Sequence, residues 1–502
     1  MNPFDAHLGA VEQDSPCEHS SLMEGSMKHK LCSLKDISPG TVVQLPKEYQ
    51  SREDETAIVL GLELASDKKR IKTGFLRKQD DRLITTWMPT QPEDTELVLA
   101  EDEPLKKASI EAFVGNKLAL PTLGMSTGCD PEIFVVHGDG SVFPAWEYMP
   151  SEDEARLSAK EWLKLDWSLP DNTPSLRQTS MEFTNWADPA AYYCPVKVPA
   201  YWDGAQAEFA PWAKNCLETL HYGTRAGLQA VLEFARAKDP TARLTLKNVV
   251  ELPEQVLKNA ENKYIQFRCS RSYNIYNDPG DGIQNAREYP FRCAGGHIHI
   301  GYSRRFTAPG IEQIVRGLDG VLGVAGVSLA AGIDNPERRN TYGRAGEFRL
   351  PSHGLEYRVL SNFWLCHPAI SMLVFEIARA AVRLAESGLF NLCWVADEGE
   401  TREVINNCDV DGARTILKRN KAVLSGLFNA MWQSDGSITL TEELASKMRT
   451  LALKTLLNGM EAAIPDPFDI EKNWKLNKPD EWKRHCRGIG DSWKSLSEGV
   501  KL

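Results

Sequence analysis

Five stretches of this chain set charged, amide or imidazole side chains two residues apart with apolar residues between or beside them, the period of a β-strand with one polar face. Successive side chains on a β-strand point to opposite faces, so residues two apart share a side. "GGHIHIGY" pairs His297 with His299 and turns Ile298 and Ile300 the other way. "GCDPEIFVV" pairs Asp130 with Glu132, "DGAQAEFAP" pairs Gln206 with Glu208, "AGEFRLP" pairs Glu347 with Arg349, and "GLEYRVLSNFW" pairs Glu356 with Arg358. Ile133, Val135, Ala207, Phe209, Phe348, Tyr357 and Val359 are placed to cover the opposite side. Strands of this kind joined in one sheet would collect carboxylates, imidazoles and guanidiniums on a single face, which is costly unless something occupies it.

The residue types narrow the occupant. Carboxylate oxygens with an imidazole nitrogen suit a hard divalent cation, and magnesium takes few protein ligands because it keeps waters and binds substrate phosphates. Arginines beside it recognise phosphate or carboxylate through a planar fork. The chain has neither G-x-x-x-x-G-K-[ST] nor a G-x-G-x-x-G at a strand-to-helix turn, so phosphates would be held by metals and arginines rather than by a glycine loop. Two other readings stand beside this one. A cupin-like enzyme would bind one iron or zinc through H-x-H, a glutamate and a third histidine, with His353 and His367 available. A virion or scaffold protein would keep such a body without turnover. Asp130 precedes Pro131, a pair that often starts a turn.

The segments "GCDPEIF", "DGAQAEF", "AGGHIHIGY", "RRNTYGRAGEFR" and "GLEYRVLSNFWL", in this order, resemble the motif series of the phage-type carboxylate-amine ligases. These are amidoligases of the glutamine synthetase and glutamate-cysteine ligase superfamily, and the resemblance spans about 120 to 370. It implies an antiparallel catalytic sheet around two or three magnesium ions, where ATP phosphorylates a carboxylate and an amine displaces phosphate from the acyl phosphate. Asp130 and Glu132 match the acidic pair of the first catalytic strand, and Glu208 the acid of a later one. His297 matches the metal-ligating histidine, with His299 nearer the nucleotide. Glu356 matches the carboxylate holding the metal that bridges the ATP phosphates, and Arg358 the arginine that steadies the transferred phosphoryl group. Arg344 and Arg349 are similar to the phosphate- or substrate-binding arginines, with Arg338 and Arg339 as further candidates, and Glu347 is the candidate base for the amine proton. The further glutamate usual after the position of Glu208 has only Glu218 to fill it, on an expected helix, while Glu182 in "SMEFTN" is an added candidate.

At 502 residues the chain exceeds what one core usually serves. The expected class is α+β: a mobile arm over 1–28, a small β-barrel-like module over 29–115, a glutamine synthetase-like catalytic domain over 116–370, packed helices over 371–465 and a polar, tryptophan-bearing tail over 466–502. Apolar spacing predicts helices near 212–237 and 310–331, then over 368–387, 413–432 and 442–463, the last opened by Thr439 and Glu442 in capping-box spacing. The basic run from Lys68 to Lys78 reads as a solvated hairpin. A formal charge of -11 argues against broad adhesion to nucleic acid or anionic membrane. Eleven scattered cysteines without a C-x-x-C pair fit reduced thiols. No apolar run reaches bilayer length and no signal pattern opens the chain, so a cytoplasmic protein is expected, in the host cytoplasm if phage-encoded. The expected partners are small-molecule or peptide carboxylates and amines, with a modified base left open and homo-oligomers allowed.

Overall fold

The computed structural model describes the backbone of six N-terminal strands within 31–98, then residues 125–156, 198–211, 213, 217–266, 272–278, 285–302, 308–386, 389–431 and 442–476. The arm, Glu182, Arg304, Arg305, Thr439 and the tail beyond 476 lie outside the described residues.

The architecture is mixed helix and antiparallel sheet. Its main sheet is built from β1 (Met125–Val136), β2 (Ala200–Asp203), β3 (Gln206–Phe209), β4 (Tyr273–Asn274), β5 (Gly296–Tyr302), β6 (Glu347–Arg349) and β7 (Gly354–Tyr357). Their spatial order is β4-β6-β7-β5-β1-β3-β2, and Arg243–Thr245 and Val142–Phe143 add to the end of β1. Every pairing is antiparallel. Asp130 therefore does not open a turn: it lies inside β1, where Pro131 faces Gly296, the first residue of β5. A proline contributes no N–H to the ladder, and its place opposite a strand end limits that loss.

The apolar alternation works as expected. Cys129, Ile133, Ala207, Phe209, Ile298, Ile300, Leu355 and Tyr357 are buried in the main core, with α1 (Leu217–Lys238), α2 (Ala308–Leu318) and α3 (Pro368–Glu386). α3 is buried along most of its length, as a helix apolar on nearly all sides must be. The expected helix over 413–432 is two, Val410–Arg419 and α4 (Lys421–Met431), parted at Asn420. The Asn420 amide accepts the N–H of Val395 and donates to its carbonyl, a local competition with helix geometry that such side chains favour. The start of the expected tail belongs to the body, since Trp474 is fully buried and its indole donates to the carbonyl of Leu365 at 2.7 Å.

In the N-terminal part, Val42–Gln44, Thr56–Leu64, Arg70–Arg77 and Leu83–Pro89 form a four-stranded antiparallel sheet, and Leu31–Cys32 pairs with Leu97–Val98. Closure of these strands into a barrel lies outside the described residues, as do the side chains of the basic run. Among the described residues no helix is long and apolar enough to cross a membrane.

Candidate active site

Strand register assembles the polar face. Asp130 stands opposite His297, and Glu356 stands between His299 and Arg349. Glu132 stands opposite Glu208, which in turn faces Tyr201. The N–H of Arg358 donates to the carbonyl of Glu347, extending the β6–β7 ladder by one row. Paired residues on neighbouring strands share a face. Asp130, Glu132, Glu208, His297, His299, Glu347, Arg349, Glu356 and Arg358 thus come together on the side of the sheet away from α1 and α3.

Within that face the acids divide into two groups. Asp130, His299 and Glu356 each offer a ligand atom within 4.8 Å of the others, and so do Glu132, Asp203 and Glu208. In the first group, Nε2 of His299 is 3.0 Å from Oδ1 of Asp130. Nδ1 of His297 lies 3.3 Å from the same oxygen and 3.5 Å from Oε1 of Glu356. Nε of Arg358 approaches that Glu356 oxygen to 3.2 Å and Nη1 of Arg349 to 3.6 Å. Oδ1 of Asp130, Oε1 of Glu356 and Nε2 of both histidines are buried without a hydrogen bond of good geometry. Convergent, underused acceptors of this kind are a set that a cation would satisfy.

The second group is held from outside. Tyr342 Oη and the N–H of Gly295 both donate to Oε2 of Glu132 at 2.5 Å, and Tyr201 Oη donates to Oε1 of Glu208 at 2.6 Å. Asp203 enters from the end of β2, just before the turn at Gly204, where φ is +68°. It had no two-residue alternation to reveal it. Tyr342 also escaped the sequence reading, yet its ring lies 4.6 Å from the Arg338 guanidinium, 5.2 Å from that of Arg358 and 5.6 Å from the His297 ring. It touches an acid, two arginines and a histidine at once.

Electrostatics follow the geometry. Burial pushes the Asp130 carboxyl up, but the adjacent His299 and His297 outweigh it and hold the group well below the usual carboxylate range. The Glu208 carboxyl is driven well above its ordinary value by burial and by Asp130, Asp203 and Glu132. Burial lowers the His299 imidazole, and Asp130 and Glu356 more than reverse that, so it is raised. His353, whose Nε2 is 2.8 Å from Nδ1 of His299, is lowered by burial and by that neighbour.

Four expected residues stand apart or are otherwise engaged. Arg339, expected at the nucleotide, is buried and donates to the carbonyls of Gly343 and Val359, so its guanidinium fastens backbone instead of joining the face. Arg338 does the same for Arg358, Val359 and Leu360. Arg344 pairs with Asp278 at 2.8 Å. Glu347 lies on the face, but its Oε2 accepts the N–H of Gly343 at 2.9 Å, in a turn whose φ of +88° favours glycine. Arg338→Lys should lower stability by roughly 3 kcal/mol, because one ammonium cannot reach carbonyls that a planar fork serves together. An unchanged urea midpoint would refute this.

Residues 282–402 match the family described as phage phiEco32-like COOH.NH2 ligase-type 2. The matched segment carries β5, β6 and β7, with His297, His299, Glu347, Arg349, Glu356 and Arg358. Asp130, Glu132 and Glu208 lie outside it and join it through strand pairing. The match supports a phage-type carboxylate-amine ligase, in agreement with the motif series. No curated protein matches the chain.

Proposed function

We propose that the protein forms an amide bond from a carboxylate and an amine at the expense of ATP, through an acyl phosphate and with magnesium. The observation that carries this is the pairing of two three-residue acidic groups on one face with Arg349 and Arg358 at the edge of the first. The donor set fits hard cations: carboxylate oxygens dominate, and each group holds at most one imidazole. Asp130, His299 and Glu356 would hold one ion with His297 alongside, and Glu132, Asp203 and Glu208 a second. Magnesium supplies neutralisation of phosphate charge, leaving the chain to position the reacting groups.

A carboxylate is a poor electrophile until its oxygen becomes a leaving group. Arg358 and Arg349, both within reach of Glu356, would steady the phosphoryl group that converts it. No nucleophilic side chain is required. The amine proton needs an acceptor, and Glu347 offers Oε1, its other oxygen being held by Gly343. A single-metal cupin-like centre is less well supported. His353 meets His299 on Nδ1 whereas Asp130 meets it on Nε2, and the two ring nitrogens point apart. His367 is engaged elsewhere, its Nδ1 accepting the N–H of Ala369 at 3.0 Å.

The test is ADP release from ATP and magnesium against pools of amino acids, polyamines and small carboxylates. Release that depends on one pool would support the reading; iron or zinc in the purified protein with no release from any pool would transfer support to the cupin-like centre. His353 gives a second prediction. As acceptor for the Nδ1–H of His299 it would keep Nε2 free for the cation, so His353→Ala should weaken manganese binding by about tenfold. Cation binding should also tighten as pH rises through the raised His299 titration, because the imidazole must shed its proton to ligate. The same shift has an opposite sign for the cation-free fold: stability from charged His299 is complete below its ordinary 6.5 and is lost as pH rises through the higher folded value. Manganese titrations by calorimetry at several pH values check both, and pH-independent affinity would remove His299 from the ligand set.

A further inference from the structure

Behind the acidic face, β7 is tied to the helices through a buried carboxyl. Glu356 and Arg358 lie on the acidic side of this strand, so Tyr357 between them points to the helices. Its hydroxyl donates at 2.7 Å to Oδ1 of Asp319, and both residues are fully buried. Asp319 opens a π-helical turn, Asp319–Gly323, at the end of α2. Such turns interrupt the regular helical ladder and often mark functional positions. This one closes on the same hydroxyl: a Cβ on Gly323 would stand 2.7 Å from Tyr357 Oη.

A second tyrosine reaches the carboxyl from the edge of the sheet. The Tyr276 hydroxyl and the N–H of Gly346 approach Asp319 closely enough to pull its carboxyl down. Oδ2 is nevertheless buried with no hydrogen bond of good geometry among the described residues. Tyr276 belongs to the segment 272–278, whose Ser272 accepts Nη1 of Arg358 at 2.7 Å and whose Asp278 pairs with Arg344. Two routes thus run from Asp319 to Arg358, one through Tyr357 along β7 and one through Tyr276 along 272–278.

Burial drives the Asp319 carboxyl up to about 7, against Tyr357, Tyr276, the Gly346 N–H and the charge of Arg316. Arg316, itself paired with Glu398, and Arg402 stand over the Tyr276 ring at 5.1 and 4.8 Å, and Arg339 lies beyond Tyr357. The remaining neighbours of this turn are apolar: α3 brings Ala381 and Ala385 to Gly317, and Phe390 covers Gly320.

We propose that Asp319 is a positioning residue for Arg358: its carboxylate holds Tyr357 and Tyr276 together, and its protonation loosens that hold. The ionised group can accept from both hydroxyls, whereas the neutral acid carries a proton on one oxygen and gives up an acceptor. The catalytic consequence rests on the ligase reading above, but the coupling of the two side chains is measured without it.

Nuclear magnetic resonance of the full chain with isotope-labelled arginine reads that coupling. The Nε–H signal of Arg358, assigned by its loss in Arg358→Lys, should shift with a midpoint near the Asp319 titration, about pH 7. In Asp319→Asn, whose amide cannot ionise, the signal should stay near its low-pH position throughout. A signal that does not move with pH in the unaltered protein overturns the proposal. So does a shift that persists in Asp319→Asn, since His299 beside Glu356 would then be its source. Should a melt show Asp319→Asn unfolded, Tyr357→Phe decides by the same criterion, because it removes the hydroxyl and leaves the ring. In ADP release, kcat should rise about tenfold through the same midpoint at unchanged KM for ATP, and Asp319→Asn should flatten that rise. A shift of the Arg358 signal without any ADP release would support the coupling and count against the ligase reading alone.

Discussion

Arg358→Ala should reduce ADP release by about 10³-fold, the scale of an arginine that stabilises a transferring phosphoryl group. The side chain is 1% exposed and held on three sides: Nη1 donates to Ser272 Oγ at 2.7 Å, Nε approaches Glu356 at 3.2 Å, and the guanidinium lies over Tyr342. A group fixed this way acts without reorganising when charge develops beside it. Arg358→Lys should recover little, because an ammonium provides one point of charge where the site is shaped for a plane. Glu356 keeps Arg349 as a partner in both variants, so the fold should survive, and a thermal melt checks that. Activity within a few-fold of the unaltered protein would remove Arg358 from phosphoryl transfer and leave it as a structural ion pair.

The two-residue alternation made the common face of His297, His299, Asp130, Glu132, Glu356 and Arg358 legible, because strand geometry alone dictates it. What alternation cannot give is which strands are neighbours. β1 lies between β5 and β3, a pairing between segments far apart in sequence that no local period encodes. Asp203 was hidden for that reason: it gains meaning only when the β2–β3 hairpin sets it beside Glu132 and Glu208. Tyr342 and His353 lie in loops, where no repeat marks the direction of a side chain. Arg339 shows the reverse limit. An arginine beside other arginines reads as an anion ligand, yet backbone carbonyls left at a strand end need donors as much as a phosphate does.

Glu208→Gln separates a cation site from a mere cluster of acids, because the two predict opposite effects. Glu208 stands directly opposite Glu132 with Asp203 beside it, and its carboxyl is held up by burial and by those charges. A carboxyl raised on folding binds its proton more tightly in the native state, so stability declines as pH climbs from its ordinary 4.5 toward the folded value. Near neutral pH, without divalent ions, removing one charge should therefore stabilise the protein by about 0.5–1 kcal/mol, as relief of like charges across a strand pair allows. With magnesium at a hundred times its dissociation constant, the unaltered protein should gain about 2.7 kcal/mol, most of which the variant forfeits. The order of the two melts then reverses on adding magnesium, and ADP release in the variant falls by about 10³-fold. Melts that shift equally with magnesium in both proteins would mean that Glu132, Asp203 and Glu208 hold no ion. The second acidic group would then serve only to shape the face around Asp130, His299 and Glu356.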